Sequence, residues 1–128
     1  MNFPKDLRYT KDHEWARLDG NTLTVGITDH AQSSLGDVVF VELPKAGREL
    51  KEGETFGVVE SIKAVSDLYS PVAGKVLESN TTLINEPALV NSSPYEGAWM
   101  IRLQVSDAAA LERLMDAASY ERYVASLK

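Results

Sequence analysis

The stretch from Val38 to Leu103 constrains the fold more than any other part of the chain. It consists of short runs rich in β-branched and aromatic residues, broken at close spacing by glycine or proline. Val38 to Leu43 is a continuous apolar-rich run closed by Pro44, and Lys45-Ala46-Gly47-Arg48 follows as a turn. Gly53 and Gly57 punctuate a run that ends in Val58-Val59. Val65 to Tyr69 precedes Ser70-Pro71, Gly74-Lys75-Val76-Leu77 opens another strand, and Trp99 to Leu103 is a late one. Many short strands with such turns predict a sandwich or a partly closed barrel, β almost throughout. Upstream, Glu14 to Leu18 and Thr22 to Ile27 flank Asp19-Gly20-Asn21, the signature of a hairpin. Thr28 to Gly36 predicts a short helix, with Asp29 and Gln32 as a capping box and Gly36 as the stop.

The period changes near the end. Asp107 is a good N-cap for a helix from Ala108 to Met115, with Leu111, Leu114 and Met115 on one face. Ser119 caps a second helix, Tyr120 to Leu127. No turn-rich linker precedes this tail, so it is expected to pack on the β core as a lid. A faint echo links Glu52-Gly53-Glu54 with Glu86-Pro87-Ala88 and suggests two similar hairpin units. The expectation is one domain over 1–128, with a core at about 8–105 and a helical tail at about 107–128.

Composition narrows the chemistry. The chain has no cysteine, which excludes a disulfide framework, thiolate metal sites and a cysteine nucleophile. Thirteen Lys and Arg against nineteen Asp and Glu give a net charge of −6 at pH 7. That balance disfavours nucleic acid or an anionic membrane as the main partner. No apolar run approaches the ~18 residues of a membrane helix. The N-terminus carries no signal or transit pattern, so a bacterial-type cytoplasmic protein is expected. A monomer is expected as well. The two histidines, His13 and His30, lie on different elements, so the sequence offers no metal pair.

Lys63 stands out. Strand-forming residues flank it on both sides, yet Asn-Gly, Asp-Gly and glycine are all missing there. Residues 59–69 could be one long strand with a solvated lysine. They could equally be a hairpin whose tip presents Lys63, since a type I turn accepts Ile-Lys-Ala-Val. On the second reading a modifying enzyme has access to the amine, and the attached group gains a fixed pivot.

Glu60-Ser61-Ile62-Lys63-Ala64-Val65-Ser66-Asp67, followed by Tyr69-Ser70-Pro71-Val72-Ala73-Gly74-Lys75-Val76, resembles the lipoyl-attachment region of glycine cleavage system H proteins. Other blocks match that family in order: His13-Glu14-Trp15, Gly26 to Gln32, Leu35 to Pro44, Val76 to Asn80, and Asn91 to Met100. The resemblance covers roughly residues 8–125. It implies a barrel-sandwich hybrid of two sheets, the lipoyl and biotinyl carrier fold, with a short helix in the N-terminal half and a helical tail.

The resemblance further implies that Lys63 carries lipoate through an amide bond. The arm would span about 14 Å from the lysine Cα. Its partners in the family are glycine decarboxylase (P protein), the tetrahydrofolate-dependent aminomethyltransferase (T protein) and dihydrolipoamide dehydrogenase (L protein). A lipoate-attaching enzyme is the fourth, and Glu60 would help it recognise the site. The carrier itself is not an enzyme, because cofactors elsewhere perform the hard chemistry. The loaded arm ends in an ammonium group that folds back into a cleft, and the matching positions are Glu14, His30 and Asp67. Two carboxylates and an imidazole suit an ammonium through charge-assisted hydrogen bonds. Acylation removes one positive charge and takes the chain from −6 to −7, a sign that favours basic rims on partner enzymes.

Rival readings differ at identifiable residues. Biotin carriers usually place methionine on both sides of the lysine, where this chain has Ile62 and Ala64. Lipoyl domains of 2-oxo-acid dehydrogenases usually carry aspartate before the lysine and lack C-terminal helices. An H-like carrier that serves lipoyl relay or a sulfur-oxidising complex would look much the same. An acid–base enzyme using Glu14 and His30, or a purely structural module, would leave Lys63 without a task.

Overall fold

Strand alternation and turn chemistry build two antiparallel sheets in the computed structural model, which describes residues 1–127. The elements are β1 (Arg8–Tyr9), β2 (Glu14–Asp19), β3 (Thr22–Ile27), α1 (Asp29–Leu35), β4 (Val38–Glu42), β5 (Glu49–Leu50) and β6 (Thr55–Ser61). Then follow β7 (Val65–Tyr69), β8 (Gly74–Ser79), α2 (Thr82–Asn85), α3 (Leu89–Ser92), β9 (Ile101–Gln104), a 3₁₀ turn at Ala108–Arg113, and α4 (Ala117–Ser126). One sheet has the order β1-β2-β3-β9-β8-β5; the other is the three-stranded β4-β6-β7. Side chains alternate across each strand, so each sheet turns one row inward. Leu23, Val25, Val41, Phe56, Val59 and Leu103 meet there and are fully or almost fully buried. This is the mainly β, two-sheet carrier architecture with a C-terminal helix that the resemblance implied. Among the described residues, no helix is long and apolar enough to cross a membrane.

A smaller aromatic core ties the tail to the body. Tyr9 and Tyr120 stack with centroids 4.6 Å apart, and Trp15, Tyr95, Ala117 and Val124 join them. Met115 pairs with Tyr9 as an isolated bridge. The tail is therefore held by burial of large aromatic surfaces, each contributing on the order of 2 kcal/mol.

Several local expectations change. The helix over 29–35 forms, but its N-cap is Thr28, whose hydroxyl accepts from Ala31 N at 3.2 Å. Asp29 instead takes the Gln32 amide and the Asn2 N–H. Thr28 can serve because it holds extended backbone at the helix entrance. The stretch expected to be β almost throughout breaks at 81–98, where α2 and α3 lie. Asn80 turns the chain there, donating to the carbonyls of Gly97 and Trp99, and Leu83 and Val90 anchor the two helical turns in the core. The echo between 52–54 and 86–88 is thus no repeat: the first is a turn before β6, the second links two helices.

The tail also differs in detail. Asp107 does cap, accepting from Ala109 N, but the following turn is 3₁₀ and ends at Arg113. Met115 leaves it to pair with Tyr9. The cap of α4 is Asp116, which accepts from Ser119 N at 2.8 Å, so Ser119 lies inside the helix. A carboxylate at the positive helix end wins over a hydroxyl three residues later.

Candidate functional site

The β6–β7 hairpin places Lys63 at its tip, which removes the long-strand alternative. Ser61 supplies the turn chemistry in place of the missing Asn-Gly, Asp-Gly or glycine. Its hydroxyl accepts from Ala64 N at 3.0 Å and from Lys63 N at 3.3 Å, while Ser61 N donates to Ala64 O at 2.8 Å. A side-chain oxygen thus stands in for the carbonyl that would close an ordinary turn. Ile62 N donates to Asp37 O at 3.1 Å and pins the tip to the segment after α1. Lys63 is exposed. Its side chain lies beside Gly36, at the end of α1, where an added Cβ would sit 3.4 Å from Lys63 Cε.

Next to that point lies a cleft of about 220 Å³ between α1 and β7. His30, Ser34 and Leu35 of α1 form one wall; Ser66, Asp67 and Leu68 of β7 form another; Asp12 and His13 close a third side. His30 and Asp67, named from the sequence, therefore face one recess. Leu35 of that wall is adjacent in sequence to Gly36, against which the Lys63 side chain rests. The cleft combines two carboxylates, two imidazoles and two hydroxyls with the apolar surfaces of Ile27, Ala31, Leu35 and Leu68. Such a lining suits an apolar tether that ends in a cation.

His13 and its neighbours carry a second feature that the sequence did not reveal. Thr10 organises the loop: its hydroxyl accepts from the N–H groups of Asp12 and Glu14, both at 3.2 Å, and its O–H donates to Glu14 Oε1 at 2.7 Å. The loop holds His13 at φ 68°, a left-handed conformation uncommon for a residue with a Cβ. The His13 ring then lies 4.6 Å from the His30 ring, centroid to centroid. The sequence spoke only against a metal pair here, and spatial contact of the two rings was not legible in it. Tyr120 reaches over from α4, with its hydroxyl 2.8 Å from His13 Nδ1 and 2.7 Å from Thr28 Oγ1. Burial, reinforced by the neighbouring His30, holds the His13 pKa below its ordinary value. Among the described residues, no group of three or more His, Cys, Asp or Glu is arranged to hold a metal ion.

Glu14 occupies a different position from the one its sequence neighbours suggest. It is 1% exposed and is not part of the cleft lining. It stands one residue from His13, and its Oε2 accepts from Tyr69 N at 3.1 Å, one residue past Leu68. It therefore sits directly behind two wall residues. Burial raises its pKa from 4.5 to about 7 against the opposing pull of the Thr10 and Tyr69 hydrogen bonds. The folded state then binds more protons than the unfolded state between these values, so stability falls as pH rises across that window. Urea denaturation from pH 4.5 to 8 should show this decline in the wild type and a flatter profile in Glu14→Gln. Parallel profiles would show that Glu14 does not titrate as described.

Glu60 lies on β6, paired with Phe40 on one side and Val65 on the other, and is half-buried. It is not part of the cleft lining. The structure thus gathers His30 and Asp67 in the cleft, sets Glu14 behind it, and leaves Glu60 with Lys63 on the hairpin. Asp12, His13, Ser34 and Ser66 join the lining without having been singled out. For His13 the available signal was its place between the Thr10-Lys11-Asp12 turn and Glu14.

Comparison with known proteins agrees with this arrangement. The family model described as glycine cleavage H-protein matches residues 7–127. The glycine cleavage system H protein of Staphylococcus saprophyticus is 55% identical across 97% of this chain and 98% of its own length. That of Brevibacillus brevis is 57% identical with the same coverage of both chains. The crystal structure of a glycine cleavage system H protein from Mycobacterium marinum superimposes with a TM-score of 0.88 at 38% identity, covering 95% of this chain and 98% of that one. Sequence, fold and near-complete coverage in both directions agree, and the chain belongs to the glycine cleavage H-protein family.

Proposed function

We propose that this protein is the lipoyl carrier of a glycine cleavage system, with lipoate held in amide linkage on Lys63. The observation that carries this reading is the exposed lysine on a hairpin tip braced by Ser61, beside a cleft lined for a cation. When attached, lipoate supplies a dithiolane whose opened form accepts the aminomethyl group derived from glycine. The residues fit such a group: the Lys63 side chain rests against the side-chain-free Gly36, at the edge of the cleft.

The protein's own residues orient and shield; they perform no bond making. Ser61 fixes the direction in which Lys63 leaves the turn. Asp67, Asp12 and the His13–His30 pair offer acceptors to an ammonium end. Leu35, Ala31, Ile27 and Leu68 keep water from the tether. Glu14, poised near neutral pH, would ionise when a cation settles in front of it. Its charge would then favour retention of that cation. The protein is therefore a carrier and not an enzyme. It works as one domain over 1–128, as a monomer in the bacterial cytoplasm, with no nucleic acid or membrane partner.

Its partners are glycine decarboxylase, the aminomethyltransferase, dihydrolipoamide dehydrogenase and the lipoate-attaching enzyme. Tethering one end to each of these in turn raises effective concentration without further contacts. The test is reconstitution with glycine decarboxylase and labelled bicarbonate. Lipoylated protein should support label exchange into the glycine carboxyl, and unmodified protein should not. No exchange from a fully lipoylated sample would favour an H-like carrier serving lipoyl relay or a sulfur-oxidising complex.

A further inference from the structure

The aromatic core that anchors the tail contains one polar chain, and that chain ends on a wall of the cleft. Tyr120 of α4 is fully buried; its ring stacks on Tyr9 at 4.6 Å and meets Phe3 edge-on at 5.7 Å. With the ring held on both sides, the position of its hydroxyl is fixed. It lies 2.7 Å from Thr28 Oγ1 and 2.8 Å from His13 Nδ1. Packing by itself would accept a phenylalanine ring here, so the hydroxyl has a separate task.

The direction of the protons in this chain follows from counting donors. Thr28, also fully buried, accepts from Ala31 N at 3.2 Å. Its own hydroxyl proton finds an acceptor only in Tyr120 among the described residues. Thr28 thus donates to Tyr120, and Tyr120 donates to His13 Nδ1. The reverse direction would strand the Thr28 proton in the interior, which costs the desolvation of an unpaired donor. A ring nitrogen that accepts carries no proton, so a neutral His13 holds its proton on Nε2. Burial raises the Tyr120 pKa, so this hydroxyl stays protonated.

The backbone supports the same placement. His13 sits at φ 68°, and its carbonyl accepts from Thr28 N at 3.0 Å. A residue with a Cβ keeps such a conformation only where its surroundings impose it. The ring so placed lines the cleft, 4.6 Å from the His30 ring.

This arrangement controls charge. Around the imidazole stand Asp12 on its own loop, His30 on α1, Asp67 across the cleft on β7, Glu14 behind the wall, and Tyr120 and Tyr123 on α4. The carboxylates pull His13 toward the imidazolium form. An imidazolium needs a proton on Nδ1, where Tyr120 already donates. It would also set a positive charge against the ammonium that the cleft is lined to hold.

We propose that Tyr120 is a positioning residue for retention of the loaded arm: through the Thr28–Tyr120–His13 chain it holds His13 uncharged, with its proton on Nε2. Acceptance from the ammonium then falls to Asp12, Asp67 and, within the imidazole pair, His30. The inference rests on the carrier reading of the cleft and adds a residue of the tail that lies outside the cleft lining.

The first measurement requires no lipoate. Nitrogen NMR of the unmodified full chain, labelled in histidine, distinguishes bare from protonated ring nitrogens. At pH 7.5 His13 should show a bare Nδ1 and a protonated Nε2. Tyr120→Phe keeps the ring and its stack but removes the donor, so the His13 titration midpoint should move up. Tyr123→Phe removes a hydroxyl from the same helix, one bonded to Lys11 O, and should leave that midpoint in place. The second measurement uses lipoylated protein loaded from glycine by glycine decarboxylase, with loss of the amine followed by intact mass. Tyr120→Phe should lose it about fivefold faster than wild type at pH 6 and within about twofold of wild type at pH 8, where the imidazole is neutral in both. Asparagine tolerates the left-handed backbone, so His13→Asn provides the background in which Tyr120→Phe should add nothing.

A protonated Nδ1 in the neutral wild type would overturn the chain, whether or not the variant folds. An equal acceleration at both pH values, or one that persists beside His13→Asn, would overturn the positioning role and leave Tyr120 as packing. Failure of the wild type to gain lipoate or to load would overturn the carrier reading and the retention role with it. The tautomer of His13 is read separately, on the unmodified protein, so the two failures are distinguishable.

Discussion

Lys63→Arg is expected to abolish carriage completely while leaving stability within about 0.5 kcal/mol of wild type. The reason is separable into chemistry and structure. An arginine guanidinium stays protonated at any relevant pH, so it does not act as the amine nucleophile that acylation requires. The fold does not need the lysine side chain, because the turn is held by the Ser61 hydroxyl and by backbone groups. Intact mass after incubation with lipoate, ATP and ligase should show no adduct on the variant. Exchange of labelled bicarbonate into glycine should fall to background. Adduct formation at wild-type levels would mean that another lysine carries the group. A loss of several kcal/mol of stability would mean that Lys63 is structural.

Gly57→Ala is expected to cost about 3 kcal/mol and lower the melting temperature by about 10 °C. Gly57 lies at the irregularity in the β6–β7 pairing, where β6 also runs close beneath β4. A Cβ at this position would fall 2.2 Å from the carbonyl oxygen of Glu42, so backbone must move to make room. That movement loosens the β4–β6 ladder on which Phe40 and Glu60 are aligned. Gly53→Ala is the matched control. Gly53 has φ 80° but nothing within 4 Å of an added Cβ, so only the left-handed backbone is penalised, by about 1 kcal/mol. Differential scanning calorimetry of the pair separates close approach from conformational strain. Equal melting temperatures in the two variants would show that the approach of β4 is not what demands glycine at position 57.

Regular elements were legible where local chemistry and tertiary packing agree. The β2–β3 hairpin could be read because Asp19-Gly20 makes a turn and the flanking residues alternate; Gly20 adopts φ 64° as that turn requires. The Gly36 stop of α1 was readable for a similar reason, and its φ is 82°. Capping depended on more than local sequence. Thr28 and Asp116 each sit one to three residues from the acceptor that the sequence favoured, and only the chain's path into the helix selects between neighbours. The helical turns at 82–85 and 89–92 were missed because each is a single turn. Four residues carry too little periodicity to be distinguished from a strand end.

The site divides in the same way. Lys63 could be singled out from its setting among strand formers, and the resemblance added lipoate to it. Glu14, His30 and Asp67 came from the resemblance as equivalent members of one cleft. The structure distinguishes them: His30 and Asp67 line the recess, whereas Glu14 is buried behind it with a pKa near 7. Nothing local to Glu14 forecasts that shift. It follows from desolvation by elements far away in sequence, which outweighs the opposing hydrogen bonds from Thr10 and Tyr69.

The sequence by itself determined the class of the molecule: a cysteine-free, acidic, mainly β chain with one lysine set among strand formers. It could do so because composition is summed along the chain, and because turn and strand preferences act over a few neighbouring residues. Only the tertiary structure decided which side chains share a surface. It brought His13 within 4.6 Å of His30, bridged His13 and Thr28 through Tyr120 of the tail, and aligned Phe40, Glu60 and Val65 from three strands. Those juxtapositions depend on strand register and on the docking of α4. Both are fixed by burial of residues distant in sequence, and that burial exists only once the chain has closed on itself.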